Sequence, residues 1–255
     1  MPAEEGGKSS LAPGLYITAT PIGNAADITL RALKVLGQCD AIVAEDSRVT
    51  SRLLAIHGIS RPLLVYNDHN APSVRPKLIE KLRGGARLAL VSDAGTPLIS
   101  DPGYKLVREA RDEGLPVFAV PGPSAVLAAL SIAGLPSDQF FFSGFLPPKA
   151  GERQNALQQL RDIPATLIFF EAAPRLAATL SAMSVILGER EAAIARDLHL
   201  PLLDLRVIEL LDAAALQAHE VVVVMAFVEF EDRLAGFEMV ALQDARLLEL
   251  RQHPV

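Results

Sequence analysis

A chain of 255 residues, half of them hydrophobic and about a fifth charged, has globular composition and room for one large or two modest cores. No apolar run approaches the roughly 20 residues needed to span a bilayer, and the single cysteine, Cys39, excludes an intramolecular disulfide framework. One sulfur and five scattered histidines offer no metal-ligand spacing, so no metal is expected, and the net charge of −6 argues against a general nucleic-acid binder while leaving room for a local basic patch.

Residues 1–13 are rich in small and acidic residues and lack the basic start and apolar stretch of a secretion signal, which predicts a disordered tail in a cytoplasmic protein. Short β-rich runs then follow at 15–19, 40–45, 62–66, 87–92 and 116–120, separated by helical patterns at 28–36, 47–57, 72–83 and 103–114. This alternation is the signature of βαβ units and a parallel sheet. Asp27 and Ser47 stand where helix N-caps belong, and Gly58, Gly114 and Gly134 follow the last periodic residues. A further helix is expected from Pro123 to Gly134, with its proline at the start. Bases outnumber acids over 72–87 (Arg75, Lys77, Lys81, Arg83 and Arg87 against Glu80), but helical spacing scatters them, and a solvated face is favoured over an RNA track.

After a strand at 140–145 the sequence LPPKAG (146–151) reads as a lobe boundary, giving a first α/β lobe over 14–146 and a second over 151–230. The second alternates again: helix 152–161, strand 165–170, helix 174–187, strand 191–196, helix 203–217 and an apolar strand 220–228. The tail, 231–255, fits an amphipathic helix or an edge strand followed by one.

In an open parallel sheet, ligands bind beyond the carboxyl ends of the strands. Four strand-exit loops stand out there: Thr20 to Asn24, Ala44 to Arg48, Ser92 to Pro97 with Asp101-Pro102-Gly103 behind it, and Val120 to Ala125. Small residues let backbone groups approach a ligand, and an acid among them can hold an amine or a ribose hydroxyl, which suits an amino-acid-plus-nucleoside cofactor. Neither a G-x-G-x-x-G nor a phosphate-loop motif is present, and no G-x-S-x-G supports a hydrolase elbow. His57 and His69 read as surface or packing residues. Glu45 and Asp46, just past a strand end, are the candidate general bases, with a helix N-terminal charge as the competing reading.

The stretches LYITATPIGNAADITLRAL, AEDSRVTSRLL, DHN, LVSDAGTPLISDPGYKLV, VPGPSAVLAALSIAGLPSDQFFFSGFLPPKAGERQNAL and TLIFFEAAPRL resemble the ribosomal RNA small subunit methyltransferase I family of the tetrapyrrole-methylase-like superfamily, over about residues 14–196. The resemblance implies two α/β lobes with S-adenosylmethionine bent in the cleft between them, a homodimer, and 2′-O-methylation of a decoding-centre cytidine in small-subunit ribosomal RNA, free or in the assembled subunit. It puts Pro21, Ser92, Asp93, Ala94, Ile99, Ser124 and Ala125 against the cofactor, with Phe170 reaching in from the second lobe. Asn24, Glu45, Asp46, Arg48 and Asn70 fall on the substrate side, and Lys149 and Arg153 match a basic linker. This chain departs from the family pattern at Ala172 and Pro174, at Asp197, His199 and Leu200, and at His219. Two other readings stay open: a tetrapyrrole methyltransferase, and a cofactor- or ribosome-binding homologue without activity.

Overall fold

The computed structural model describes residues 11–188, 190–195 and the backbone of the strand at 220–225. The chain divides after Ser124 into two compact units. The expected helix at 203–217, the stretches 226–228 and 231–255, and most of the N-terminal tail lie outside the described residues.

In the first unit five strands, β1 (Gly14–Thr18), β2 (Ala41–Ala44), β3 (Leu63–Val65), β4 (Arg87–Val91) and β5 (Val117–Val120), form a sheet in the order β3-β2-β4-β1-β5. Every pairing is parallel. Such a sheet needs a crossover between each strand and the next, and the helices are α1 (Leu30–Gln38), α2 (Ser47–Ile56), α3 (Ala71–Arg83) and α4 (Tyr104–Asp112). Residues alternate strictly between the two faces. Tyr16, Ile42, Ala44, Ala89 and Val91 pack with Ala32, Val35 and Leu36 of α1 and Leu54 of α2. Leu15, Ala41, Val43, Leu88 and Leu90 pack with Leu78, Ile79 and Leu82 of α3 and Leu106 and Ala110 of α4. Two buried faces explain why these strands read as continuous apolar runs.

Two expected caps are corrected. Thr29, not Asp27, caps α1, its hydroxyl accepting from Ala32 N at 3.1 Å, and Asp46, not Ser47, caps α2, accepting from Arg48 N at 2.8 Å. Both have the extended backbone that an N-cap requires, whereas Asp27 ends a short 3₁₀ turn and Ser47 is already helical. The three arginines of 72–87 are engaged in surface ion pairs: Arg75 with Glu109 at 2.7 Å, Arg83 with Glu113 at 2.6 Å, and Arg87 with Asp40 at 3.1 Å. Such pairs add little stability, but they agree with a solvated face.

The second unit begins earlier than 146–151. α5 (Ala125–Ile132) and β6 (Phe140–Phe145) belong to it because β6 pairs with β7 (Thr166–Ala172); the prolines at 147 and 148 interrupt the chain between β6 and α6 (Ala150–Leu160) without dividing the core. With α7 (Leu176–Leu187), β8 (Ala192–Ala195) and β9 (Glu220–Met225), the sheet runs β6-β7-β9-β8, with β9 antiparallel to both its neighbours. Leu157, Leu160, Leu176, Met183 and Leu187 of α6 and α7 cover one face, and Val126, Ala129 and Leu130 of α5 the other.

Glu171, at the end of β7, has no exposed surface. Its carboxylate accepts from Arg175 Nε at 2.6 Å, Thr179 Oγ1 at 2.6 Å and Ala172 N at 2.7 Å, and Arg175 also donates to Leu146 O at 3.0 Å. A buried carboxylate is tolerated only when compensated in this way. Glu171 and Arg175 keep the residues that the family pattern has at the two ends of this segment, so the departures at Ala172 and Pro174 leave its polar frame intact. Arg175→Ala should therefore destabilise the protein by about 3 kcal/mol, read as a lower urea midpoint, whereas Lys149→Ala, on an exposed residue, should leave it unchanged.

Candidate active site

The sheet order places β4 between β2 and β1, and the helices following those two strands lie on the face opposite α4. Connections that depart to opposite faces from adjacent strands open a crevice at the carboxyl edge, the position where open α/β sheets bind ligands. Register then aligns what emerges there. Ala44 lies beside Val91, Ile17 beside Leu90 and Thr18 beside Val120, so the chain leaves β2, β4, β1 and β5 along one row.

The exit loops are tied together. Thr20 exchanges two backbone hydrogen bonds with Gly95, at 2.9 and 3.1 Å, joining the loops after β1 and β4. Asp46 N donates to Asp93 Oδ1 at 3.1 Å, joining those after β2 and β4, and Thr96 Oγ1 donates to Pro123 O at 3.0 Å, joining those after β4 and β5. Gly95 has φ 78°, and a Cβ there would lie 3.2 Å from Ile22 Cγ2, so this crossing needs glycine. Beyond it Leu98 and Ser100, at φ 73° and 66°, are non-glycine residues in the left-handed region. Strain of this kind persists where surrounding structure enforces it and concentrates in ligand-binding loops.

Acidic side chains dominate this edge. Burial pushes the Glu45 carboxyl up to about 7, and Asp101, Asp93, Asp68 and Asp46 push in the same direction. Burial also raises Asp93, against the hydrogen bond from Asp46 N. Asp46 differs: hydrogen bonds from the Arg48 side chain and backbone bring it down to about 2. The two candidate bases are thus separated by their surroundings. Glu45 titrates near neutrality, as a general base should, while Asp46 is a helix cap locked to Arg48.

The other expected site residues divide similarly. Pro21 is buried in the β1 exit loop, and Asp93, Ala94 and Ile99 are exposed on the β4 loop. Ser92 is 3% exposed and its hydroxyl turns inward, toward Ala94 O at 3.2 Å and Gly95 O at 3.3 Å, so it shapes the loop. Asn24 is exposed and caps a 3₁₀ turn through Ala26 N at 3.0 Å. Asn70 holds its own turn, donating to Val65 O at 3.0 Å and accepting from Asn67 N at 2.9 Å. Ser124 and Ala125 stand where the first unit passes into the second.

In the second unit Lys149 is exposed and paired with Glu152 at 3.0 Å. Arg153 departs from the open basic linker that was expected: it is 8% exposed, donating to Pro148 O at 3.1 Å. Phe170 is 6% exposed and packs edge-on against Phe142 with ring centroids 4.9 Å apart, a core role within its own unit. Sequence reasoning gave no role to Thr20, Thr96, Asp68 or Asp101. Thr20, Thr96 and Asp101 lie inside loops the sequence marks, but their roles depend on partners at least 27 residues away; Asp68 lies in the DHN stretch of the family resemblance, and its effect likewise falls on Glu45, distant in the chain.

The tetrapyrrole (corrin/porphyrin) methylase family profile matches residues 14–201. The ribosomal RNA small subunit methyltransferase I of Mesorhizobium japonicum is 58% identical over 189 residues, covering 74% of this chain and 64% of that protein. That of Xylella fastidiosa is 52% identical over 188 residues, covering 73% of this chain and 69% of that protein. The chain thus spans less than two thirds of the length of the first of these relatives. Among solved structures, a diphthine synthase matches with a TM-score of 0.64 at 17% identity, over 83% of this chain and 89% of that one. A uroporphyrin-III-C-methyltransferase from Thermus thermophilus matches at 0.57 and 21%, over 83% and 94%. At these identities the structures speak for the fold alone.

The raised Glu45 pKa has a consequence for stability. A carboxyl that holds its proton more tightly in the folded state loses stability as pH rises from the ordinary value of 4.5 to about 7, and no further above that. Glu45→Gln should therefore melt at a higher temperature than the unsubstituted protein at pH 8, and the difference should vanish as pH falls to 4.5; thermal unfolding across that range checks it.

Proposed function

We propose methyl transfer from S-adenosylmethionine for this chain, which belongs to the tetrapyrrole (corrin/porphyrin) methylase family, and we assign as acceptor the 2′-hydroxyl of a cytidine in small-subunit ribosomal RNA. Three exit loops tied to the one after β4, with a carboxyl group poised near pH 7 at the same edge, support the reaction class. Support for the acceptor comes from relatives at 47–58% identity, all named for ribosomal RNA small subunit methylation.

The residues present suit the cofactor. Its sulfonium and ammonium are cationic, and Asp93 and Glu45 bring carboxylates to the edge; its adenosine needs close backbone approach and apolar cover, and Ala94 and Ile99 are exposed on the β4 loop. Bound there, S-adenosylmethionine supplies an already activated methyl group. The protein is then left with aligning the acceptor, excluding water and managing one proton. A ribose hydroxyl is a weak nucleophile at neutral pH and gains from a base. Glu45, ionised above about pH 7, would take the hydroxyl proton as the new O–CH₃ bond forms and the donor's S–CH₃ bond breaks, the sulfonium leaving as a neutral thioether. Asp46 orients this base indirectly, by capping α2 and donating its N–H to Asp93. The carboxylates also disfavour phosphate at the edge, so ribose and base enter it while the RNA backbone is held elsewhere.

Purified protein incubated with methyl-labelled S-adenosylmethionine and small ribosomal subunits from cells lacking this modification should place label on a cytidine ribose. The rate should rise about tenfold per pH unit below 7 and level off above it. Glu45→Gln should lower turnover by roughly 10²–10⁴ and abolish that profile, whereas Asp46→Asn, which keeps the cap, should retain it. No label on RNA with cofactor binding intact overturns the acceptor, and label on a corrinoid or porphyrin substitutes the tetrapyrrole reading.

A further inference from the structure

Thr20 lies two residues past the end of β1, 2% exposed. Its hydroxyl sits 3.1 Å from Ser92 O and 3.4 Å from Gly95 O, while its backbone pairs with Gly95 on both sides. The inward-turned Ser92 hydroxyl completes the same knot. With the carbonyls of Ser92 and Gly95 turned to this interior, the residues left exposed on the turn are Asp93 and Ala94.

We propose that Thr20 is a positioning residue for the cofactor, its buried hydroxyl clamping the β4 exit turn so that Asp93 and Ala94 face the ligand. This rests on the methyltransferase reading and deepens it. The backbone bridge holds the turn at Gly95, and the bonds at Asp93 and Thr96 tie it to the neighbouring loops; the Thr20 hydroxyl adds the tie at its start, Ser92, three residues before Gly95, and so sets the angle at which the turn leaves the strand. Thr20 itself touches neither reacting atom and carries no charge, so its effect should fall on cofactor affinity and not on the acceptor.

Thr20→Val keeps the shape and removes the donor; Thr20→Ser keeps the donor. Calorimetry with S-adenosylmethionine should show Kd raised about tenfold in the valine variant, the scale of one lost hydrogen bond, and restored to within about twofold by serine. KM for the cofactor should follow Kd while KM for ribosomal subunits stays put, and the Gly95 amide should exchange faster in the valine variant. If the valine variant does not fold, Thr20→Ala against Thr20→Ser makes the same comparison. Unchanged Kd and KM with a lowered melting temperature would show a purely structural threonine and overturn the proposal, as would a serine variant as impaired as valine. Failure of the unsubstituted protein to bind S-adenosylmethionine overturns the methyltransferase reading itself, and this proposal with it, before any variant is compared.

Discussion

The site depends on one topological constraint: five parallel strands, with the helix that follows β4 on the opposite face of the sheet from the helices that follow its neighbours β1 and β2. Parallel pairing sends every strand end to the same edge, and the reversal around β4 keeps the helices that follow from closing over it. The crevice is therefore a product of connectivity, and the loops that line it need only be short and small. Thr20, Gly95, Thr96 and Asp46 then stitch those loops to one another, giving the edge a defined shape on a scaffold whose core is mostly apolar.

Two glutamates show how the fold assigns opposite roles to one side chain. Glu171 is fully buried, and a guanidinium, a hydroxyl and a backbone N–H converge on its carboxylate. Its charge is spent on structure, holding the end of β7, the start of α7 and the Leu146 carbonyl together. Glu45 is partly buried among other carboxylates, and the charges acting most strongly on it are all negative. The missing compensation is what gives it a pKa suited to moving a proton. Asp46, one residue on, shifts the other way because Arg48 and the α2 N-terminus hold its carboxylate.

Element type and order were largely legible in the chain, because strands buried on both faces are written as unbroken apolar runs and the helices between them carry a regular stripe. Local backbone geometry was less so. Asp27 and Ser47 are good capping residues by type, yet the cap goes to whichever residue adopts extended backbone just before the first turn, and that proved to be Thr29 and Asp46. The Pro147-Pro148 pair looked like a lobe boundary, but β6 precedes it and pairs with β7 beyond it, so the division falls before α5. Phe170 and Arg153 were expected at the ligand and the linker; both are packed inside the second unit.

By itself the sequence determined an α/β chain whose turn-forming, acid-bearing loops follow its strands, because periodicity and the placement of small residues are local properties that survive without knowledge of contacts. Only the tertiary structure decided which acid has its pKa raised and which has it lowered, which hydroxyls face inward and which loops touch. Those outcomes turn on burial and on hydrogen bonds between residues such as Thr20 and Ser92, 72 positions apart, or Asp46 and Asp93, 47 apart. No local pattern encodes the distance at which such partners meet, since it is set by the order and register of strands that the whole core selects.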